Sequence, residues 1–346
     1  MRSKQKVPIS NFSRRGNQIY FVSSEINIIC SMNIETFEVE FIPGPTNEVF
    51  YDATLYGDIK ICDANILLVP YNAKNIWRYD IADEKWETIL PEILEGSGRG
   101  AFSGAEVKGS KLYVFGFNYP NIVCIDLKTL IWHNVLTSNH EPGKICFGFG
   151  GYVRRDDILY FVNQGTEYIL RLDLNSEKYD WIKLEHNGGF LSIAYDDENF
   201  WMVSDYGGNG KKLIRWNEDN GIKETYEGMI DGMIAGVTLL QDDILIYGPY
   251  GSTCIFNKKK LEFKDIDINK NIAYAKEISK GVTLICNTNG ENIIFRADER
   301  KEFSIDISNE MLCEFQKKSN KIMLDLPTEG NVCSLQFFIE RLCEYE

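Results

Sequence analysis

A short apolar strand pattern recurs eight times along this chain, each time directly after a polar turn. Successive starts are separated by 38 residues (Ile244 to Val282) to 47 residues (Ile19 to Ile66) in a chain of 346 residues. The eight patterns begin at Ile19, Ile66, Leu112, Leu159, Phe200, Ile244, Val282 and Ile322. A period of this length that contains several strands is typical of a β-propeller, in which each repeat forms one blade.

Residues 102–137 show how one repeat is built. Its four predicted strands are Phe102–Gly109, Lys111–Phe117, Ile122–Leu127 and Ile131–Thr137. Strands of this length joined by short turns predict an antiparallel meander, and four of them make one blade. The turn before the second strand is rich in Gly, Asn and Asp in the repeats, and these residues tolerate the left-handed backbone of a tight hairpin.

A second recurring spacing marks the third and fourth strands. An Asp precedes a large aromatic residue by six positions in three repeats, as the pairs Asp80–Trp86, Asp126–Trp132 and Asp173–Tyr179. The Asp side chain can turn the chain by accepting hydrogen bonds from nearby backbone amides. The aromatic residue then lies on the fourth strand, where we expect it to cover the neighbouring blade.

These hairpins resemble those of a known repeat family. The segment Asn75–Trp86 is similar to the hairpin between the third and fourth strands of Kelch repeats, and so are Ile122–Trp132 and Ile169–Trp181. The Gly-Gly pair that Kelch repeats carry at the end of the second strand is absent, and Gly116 and Gly248 are its nearest equivalents. The resemblance implies a Kelch-like β-propeller with degenerate repeats.

We therefore expect an all-β fold, with residues 1–346 forming a single β-propeller of four-stranded antiparallel blades. Eight blades are favoured, the eighth beginning with strands at Met311–Lys317 and Lys321–Leu326. The alternative is seven blades followed by a C-terminal hairpin and helix, because Ser334–Glu346 also matches a short amphipathic helix. Residues 331–346 are expected to close or cap the ring, since open sheet edges invite aggregation.

The charge and the cysteine content restrict the environment and the partners. A formal net charge of −14 with only short basic runs argues against nucleic acid and anionic membranes as partners. The nine cysteines form no CxxC pair, which indicates a reducing compartment. We see neither an apolar signal segment nor an apolar run long enough to cross a bilayer. These observations predict an acidic, cytoplasmic monomer.

Two kinds of loop are expected to emerge on one face of the propeller: those between the second and third strands, and those that connect blades. Loops on a rigid scaffold commonly carry binding residues, and Tyr and Asn provide ring contacts and hydrogen bonds there. The candidate ligand-binding residues in these segments are Asp52, Tyr71, Arg99, Tyr119, Lys144, Gln164, Asp205, Tyr206, Asp231 and Tyr250.

The features together predict a non-catalytic recognition module that binds a protein, peptide or glycan around the central funnel. The alternative is a metal-independent enzyme, an epimerase, lyase or hydrolase, with Asp, Tyr and Arg in the funnel. The chain has three histidines, His133, His140 and His186, and no recognisable metal or nucleotide motif. We expect neither a metal nor a cofactor, and the sequence identifies no catalytic residue.

Overall fold

The computed structural model describes residues 4–23, 27–45, 48, 54–90, 101–116, 119, 121–136, 149–185, 188–204, 211–228, 232–249, 253–264, 271–296, 299–311 and 313–314. Seven four-stranded antiparallel sheets are formed in this part of the chain, each from four strands that are consecutive in sequence. The chain is therefore a single β-propeller of seven blades, each a simple meander.

The strands of the first four blades follow the predicted repeats. Blade 1 contains β2 (Ile9–Arg15), β3 (Gln18–Ser23), β4 (Ile28–Asn33) and β5 (Val39–Pro43). Blade 2 contains β6 (Tyr56–Cys62), β7 (Asn65–Pro70), β8 (Ile76–Asp80) and β9 (Lys85–Leu90). Blade 3 contains β10 (Phe102–Lys108), β11 (Lys111–Gly116), β12 (Ile122–Asp126) and β13 (Trp132–Leu136). Blade 4 contains β14 (Phe149–Arg155), β15 (Ile158–Asn163), β16 (Tyr168–Asp173) and β17 (Tyr179–Lys183).

The remaining blades keep the same order of strands. Blade 5 contains β18 (Phe190–Tyr195), β19 (Phe200–Ser204), β20 (Lys212–Asn217) and β21 (Gly221–Glu227). Blade 6 contains β22 (Gly236–Leu240), β23 (Asp243–Tyr247), β24 (Cys254–Asn257) and β25 (Glu262–Lys264). Blade 7 contains β26 (Ile272–Ser279), β27 (Val282–Asn287), β28 (Glu291–Arg296) and β29 (Glu299–Ser304). Two short strands, β1 (Lys4–Lys6) and β30 (Asp306–Ser308), pair with each other.

Contacts divide the chain into two units. The first unit comprises residues 1–99 and 304–346, with blades 1 and 2 and the β1–β30 pair. The second unit comprises residues 100–303, with blades 3 to 7. In each unit, buried aliphatic and aromatic side chains fill the space between adjacent blades, for example Tyr160 and Phe200 between blades 4 and 5.

The favoured count of eight blades is wrong, and seven, the stated alternative, is observed. The chain after Ser304 does not begin another meander: β30 pairs antiparallel with β1, and Val7 donates its backbone N–H to the Ile305 carbonyl at 2.8 Å. Residues 309–311 are helical, where the eighth unit needed its first strand at Met311. The segment 331–346, expected to close the ring, lies outside the described residues.

The predicted turn chemistry is confirmed in six of the seven blades. The turn between the first and second strands holds one Gly or Asp with a left-handed backbone, at Gly16, Asp63, Gly109, Asp156, Asp197 and Gly281. In blade 6 this position is held by Gln241, which was not predicted. At the other hairpin, Asp126 Oδ1 accepts the backbone N–H groups of Lys128 and Thr129, both at 2.9 Å. Asp80 and Asp173 accept backbone amides in the same way.

Asp196, in the first turn of blade 5, also ties that blade to blade 6. Its carboxylate accepts the backbone N–H of Asn199 at 2.8 Å, the indole N–H of Trp201 at 2.8 Å and the ammonium of Lys258 at 3.0 Å. Burial raises the pKa of Asp196, but these three hydrogen bonds outweigh it and leave the pKa below its ordinary value.

The aromatic residues of the fourth strands differ in burial. Trp86 is half-buried and donates its indole N–H to the Pro43 carbonyl of blade 1 at 2.9 Å. Tyr179 packs against the core between blades 3 and 4. Trp132, expected to cover a neighbour, is instead exposed beside Leu130 and Ile131. The six-residue spacing therefore fixes the turn but not the environment of the ring.

Candidate functional site

The loops between second and third strands do lie beside the connections that lead from one blade to the next. In blade 3, Tyr119 donates its backbone N–H to the Ala101 carbonyl at 3.1 Å. In blade 4, a Cβ at Gly189 would lie 2.1 Å from the Gly165 nitrogen, so only glycine permits this approach. The two kinds of segment therefore meet at the same end of these blades, as the meander predicts.

Glu48 organises this end of blade 2. Its side chain, in a residue only 1% exposed, accepts four hydrogen bonds from the loop after β7 and from the beginning of β8. Oε2 accepts the backbone N–H of Lys74 at 2.9 Å. Oε1 accepts the backbone and side-chain N–H groups of Asn75 at 3.1 and 3.0 Å, and the indole N–H of Trp77 at 2.8 Å. The carboxylate thus supplies the hydrogen-bond acceptor for the donors of Lys74, Asn75 and Trp77, which are not left unsatisfied.

Sequence reasoning missed Glu48 because it lies in the connection Pro43–Asp52 among residues with no periodic pattern. A buried acid in such a segment looks like a solvated loop charge. The available signal was the cluster of donors in Asn75 and Trp77, since amides that leave a strand end need an acceptor. With every carboxylate oxygen bonded inside the protein, Glu48 supports the loop and is not placed to act on a ligand.

Three of the ten predicted binding residues fall in the described part of the chain. Tyr71, half-buried, donates its backbone N–H to the Leu55 carbonyl at 2.8 Å. The ring of Tyr119 lies 5.0 Å from that of Phe102, and Gln164 is half-buried beside Gly189. The predictions for Asp52, Arg99, Lys144, Asp205, Tyr206, Asp231 and Tyr250 lie outside the described residues. All ten stay predictions.

The structure shows a different concave surface at the opposite end of blades 4 and 5, which we call the turn cavity. It has a volume of about 440 Å³ and is lined by the ends of first and third strands and the turns that follow them. Its polar lining includes Arg155, Tyr195, Glu198, Arg215, Asn217 and Asp219. These turns are not predicted as binding residues from the sequence, because hairpin geometry alone explains their short, Asp-rich composition.

The arginine side of the turn cavity is held by neighbouring side chains. The guanidinium of Arg155 lies 5.5 Å from the centre of the Tyr195 ring and 3.5 Å from Glu218. Glu218 also accepts hydrogen bonds from the Tyr160 hydroxyl at 2.8 Å and from Arg171. Burial raises the pKa of Tyr195, and Arg155 opposes this change. The Tyr195 hydroxyl remains protonated and donates to the Asp197 carbonyl at 2.8 Å.

The acidic side of the turn cavity is open. Glu198 and Asp219 are exposed, and no ion pair to either carboxylate is found among the described residues. Asn217 fixes the turn geometry, because its side chain donates to the Glu198 carbonyl at 3.0 Å and accepts the Asp219 backbone N–H at 3.0 Å. Among the residues that the structure describes, the cavity therefore presents two carboxylates without an ion-pair partner beside a positioned guanidinium, a pattern suited to binding charged groups of both signs.

Comparison with known proteins supports the fold. No family model matches the chain, and no curated protein matches it in sequence. A structure of YCF48 bound to D1 peptide is similar, with a TM-score of 0.62 and 11% identity over 86% of this chain and 96% of that one. The computationally designed protein Ika8 is similar over 87% of this chain and 88% of its own, with a TM-score of 0.57 and 10% identity.

PorZ, a surface component of the type-IX secretion system of Porphyromonas gingivalis, is similar with a TM-score of 0.58 and 9% identity. The match covers 88% of this chain and 39% of PorZ. At such identities, the likeness establishes the β-propeller and carries no activity with it. The Kelch-like assignment stays a prediction. Within the described residues, no helix has the length and apolar character needed to traverse a bilayer.

Proposed function

We propose that this protein is a recognition module that binds a segment of a partner polypeptide in the turn cavity. The observation that carries the proposal is the pair of exposed carboxylates, Glu198 and Asp219, which have no ion-pair partner in the described part of the chain and lie with Arg155 on the wall of the cavity. A Lys or Arg side chain of the partner would pair with the carboxylates. Arg155 and the Asn217 amide are placed to contact peptide carbonyl or carboxylate groups.

Two further features support a cationic polypeptide as the partner. The chain carries a net charge of −14, which attracts basic segments over long range and speeds their association. The similar propeller YCF48 was solved with a peptide bound, which gives a precedent for peptide binding by this architecture. A protein or peptide partner was also among the ligands that the sequence analysis predicted.

The test begins with selection of peptides from a random displayed library on the immobilised full-length chain. Affinities of the selected peptides are then measured by fluorescence polarisation for the wild type and for the double variant Glu198→Gln with Asp219→Asn. Two solvent-accessible ion pairs contribute roughly 0.4–2 kcal/mol together, so we expect about a 2- to 30-fold loss of affinity. Raised salt should weaken wild-type binding more than binding to the double variant.

A charge-matched control separates local contacts from the effect of net charge. The double variant Glu262→Gln with Glu299→Gln removes the same charge from exposed positions of blades 6 and 7, and it should bind like the wild type. Equal affinity for the wild type and the turn-cavity variant would overturn the proposed site. A loss confined to Tyr119→Ala would place recognition on the predicted loop face instead. Failure to enrich any peptide would count against a polypeptide ligand.

A further inference from the structure

A row of three side chains crosses blades 3 and 4 at equivalent positions. In blade 4, Tyr160 pairs with Arg171 across β15 and β16, and Arg171 pairs with Asp180 across β16 and β17. In blade 3, the same places in the register are held by Tyr113, Cys124 and His133. Both tyrosines donate their hydroxyls to a carboxylate from the next blade, at Glu218 and Glu177 respectively.

The blade 4 row is an ion-pair network centred on one guanidinium. The Arg171 guanidinium lies between two carboxylates: it donates to Asp180 at 2.9 and 3.1 Å and to Glu218. These interactions hold the pKa of Arg171 above its ordinary value. A cation between the third strand of one blade and a carboxylate of the next therefore joins blades 4 and 5.

The blade 3 row lacks this guanidinium and has metal-binding groups in its place. The ligand atoms of Cys124, His133 and Glu177 all lie within 4.8 Å of one another. Cys124 is 1% exposed, whereas the His133 side chain is 51% exposed and faces solvent on its outer side. The three residues come from two blades, because Glu177 belongs to the turn between β16 and β17 of blade 4.

The two oxygens of Glu177 have different surroundings. Oε1 accepts the Lys111 ammonium at 2.6 Å and the Tyr113 hydroxyl at 3.2 Å, whereas Oε2 lies 2.6 Å from His133 Nε2. One oxygen is thus oriented from outside the cluster, and the other faces the imidazole and the thiol. Partners that hold the far side of a ligand in this way are typical of metal sites, where they fix the geometry of the coordinating groups.

We propose that Cys124, His133 and Glu177 form a zinc-binding site between blades 3 and 4. Thiol, imidazole and carboxylate ligands are the set that Zn²⁺ takes in proteins, and three protein ligands leave a fourth position for water on the exposed side of His133. The thiolate and the imidazole disfavour Ca²⁺ and Mg²⁺, which take oxygen ligands. On binding, the ion takes the place of the Glu177–His133 hydrogen bond. The proton on His133 Nε2 and the thiol proton of Cys124 both leave to solvent, and the bound imidazole carries its one proton on Nδ1.

The charges around the cluster are compatible with a divalent ion. A thiolate and a carboxylate together neutralise Zn²⁺. The ammonium of Lys111 pairs with Glu177, and Lys111 lies opposite Asp126 in the pairing of β11 with β12. The zinc ion would link blade 3 to blade 4, as the Arg171 guanidinium links blade 4 to blade 5. No metal is expected from the sequence, because Cys124, His133 and Glu177 share no local motif and are brought together only by the fold.

The test uses Co²⁺ as a spectroscopic probe on the full-length chain after removal of metals. One equivalent of Co²⁺ should produce the near-ultraviolet charge-transfer absorption of a cobalt–thiolate bond and the visible bands of a four-coordinate ion, and Zn²⁺ should displace it. The charge-transfer absorption should vanish in Cys124→Ser. His133→Gln and Glu177→Gln should weaken binding by at least about 10-fold, since each removes one ligand.

Matched variants make each outcome decisive. Cys62→Ser removes a half-buried thiol of blade 2 and should leave the cobalt spectrum unchanged. His133 is exposed, so His133→Gln tests the site without disturbing the core, should Cys124→Ser fail to fold. The proposal is overturned if the wild type shows no cobalt–thiolate absorption. It is equally overturned if the absorption survives in Cys124→Ser, or if His133→Gln and Glu177→Gln bind cobalt as the wild type does.

Discussion

Glu48 offers the sharpest test of how the structure is held together. Four donors converge on this one buried carboxylate, and they all belong to the loop and strand at residues 74–77. Glu48→Gln keeps the shape of the side chain and one oxygen, whereas Glu48→Ala removes both acceptors. The two variants therefore separate the loss of one acceptor from the loss of the whole interaction.

The magnitudes follow from the donors that each variant leaves without an acceptor. In Glu48→Gln, the remaining oxygen can keep its hydrogen bonds from Asn75 and Trp77. The new amide group faces the Lys74 N–H, and because both groups are donors, the Lys74 N–H has no acceptor. One unpaired buried donor costs about 1–3 kcal/mol. In Glu48→Ala, the backbone amides of Lys74 and Asn75, the Asn75 side chain and the Trp77 indole all lose their acceptor. At about 1 kcal/mol each, the lower end of the same range, the expected loss is roughly 4 kcal/mol.

Urea unfolding followed by tryptophan fluorescence measures these losses. With an m-value of about 3 kcal/mol/M, Glu48→Ala should lower the midpoint by roughly 1–1.5 M, and Glu48→Gln by less than 1 M. Glu40→Gln, at an exposed position of the same unit, should leave the midpoint in place. A Glu48→Ala midpoint within about 0.2 M of the wild type would refute the reasoning, because the loop would then not depend on the carboxylate.

Three further predictions concern stability and use the same unfolding assay. Because the pKa of Asp196 is lowered in the folded protein, its contribution is complete above the unfolded value of about 3.9 and disappears as pH falls through the folded value. The stability gap between wild type and Asp196→Asn should therefore be constant from pH 7 to 5 and shrink below about pH 4; a gap that widens in acid would contradict this sign. Trp216→Ala, which empties a buried site, should cost about 3–5 kcal/mol, and the exposed Trp132→Ala less than about 1 kcal/mol; equal losses would show that burial does not decide the cost. Gly248→Ala should destabilise by at least about 2 kcal/mol, since the new Cβ would lie 1.9 Å from the Met233 carbonyl oxygen; an unchanged midpoint would mean that the backbone moves freely there.

Local chemistry made most of the fold predictable. Asp126 and its equivalents predict the hairpin between the third and fourth strands, because a carboxylate that accepts two backbone N–H groups determines the turn locally. Gly109 and the other left-handed Gly and Asp positions do the same for the first hairpin of six blades. The boundaries predicted for blade 3 agree with β10 to β13 within one or two residues.

Features that depend on residues distant in sequence were not predictable. The count of eight failed because the chain near Ile305–Ser308 reads as the approach to another repeat, whereas its partner is at Lys4–Lys6. Glu48 was missed because its donors are 26 to 29 residues away. Cys124 and His133 were judged separately, although strand register places them opposite each other.

The pairing of β1 with β30 also means that β1 must wait during translation until β30 has been synthesised. The partner of Lys4–Lys6, Asp306–Ser308, is translated about three hundred residues after it. At about 5–20 residues per second, that interval is roughly 15–60 s. Throughout this time β1 is a polar, unpaired strand tethered to a first blade whose own four strands are already available. Because charged lysines discourage pairing of an edge strand with other chains, we expect Lys4 and Lys6 to protect this strand from aggregation until its partner has been translated.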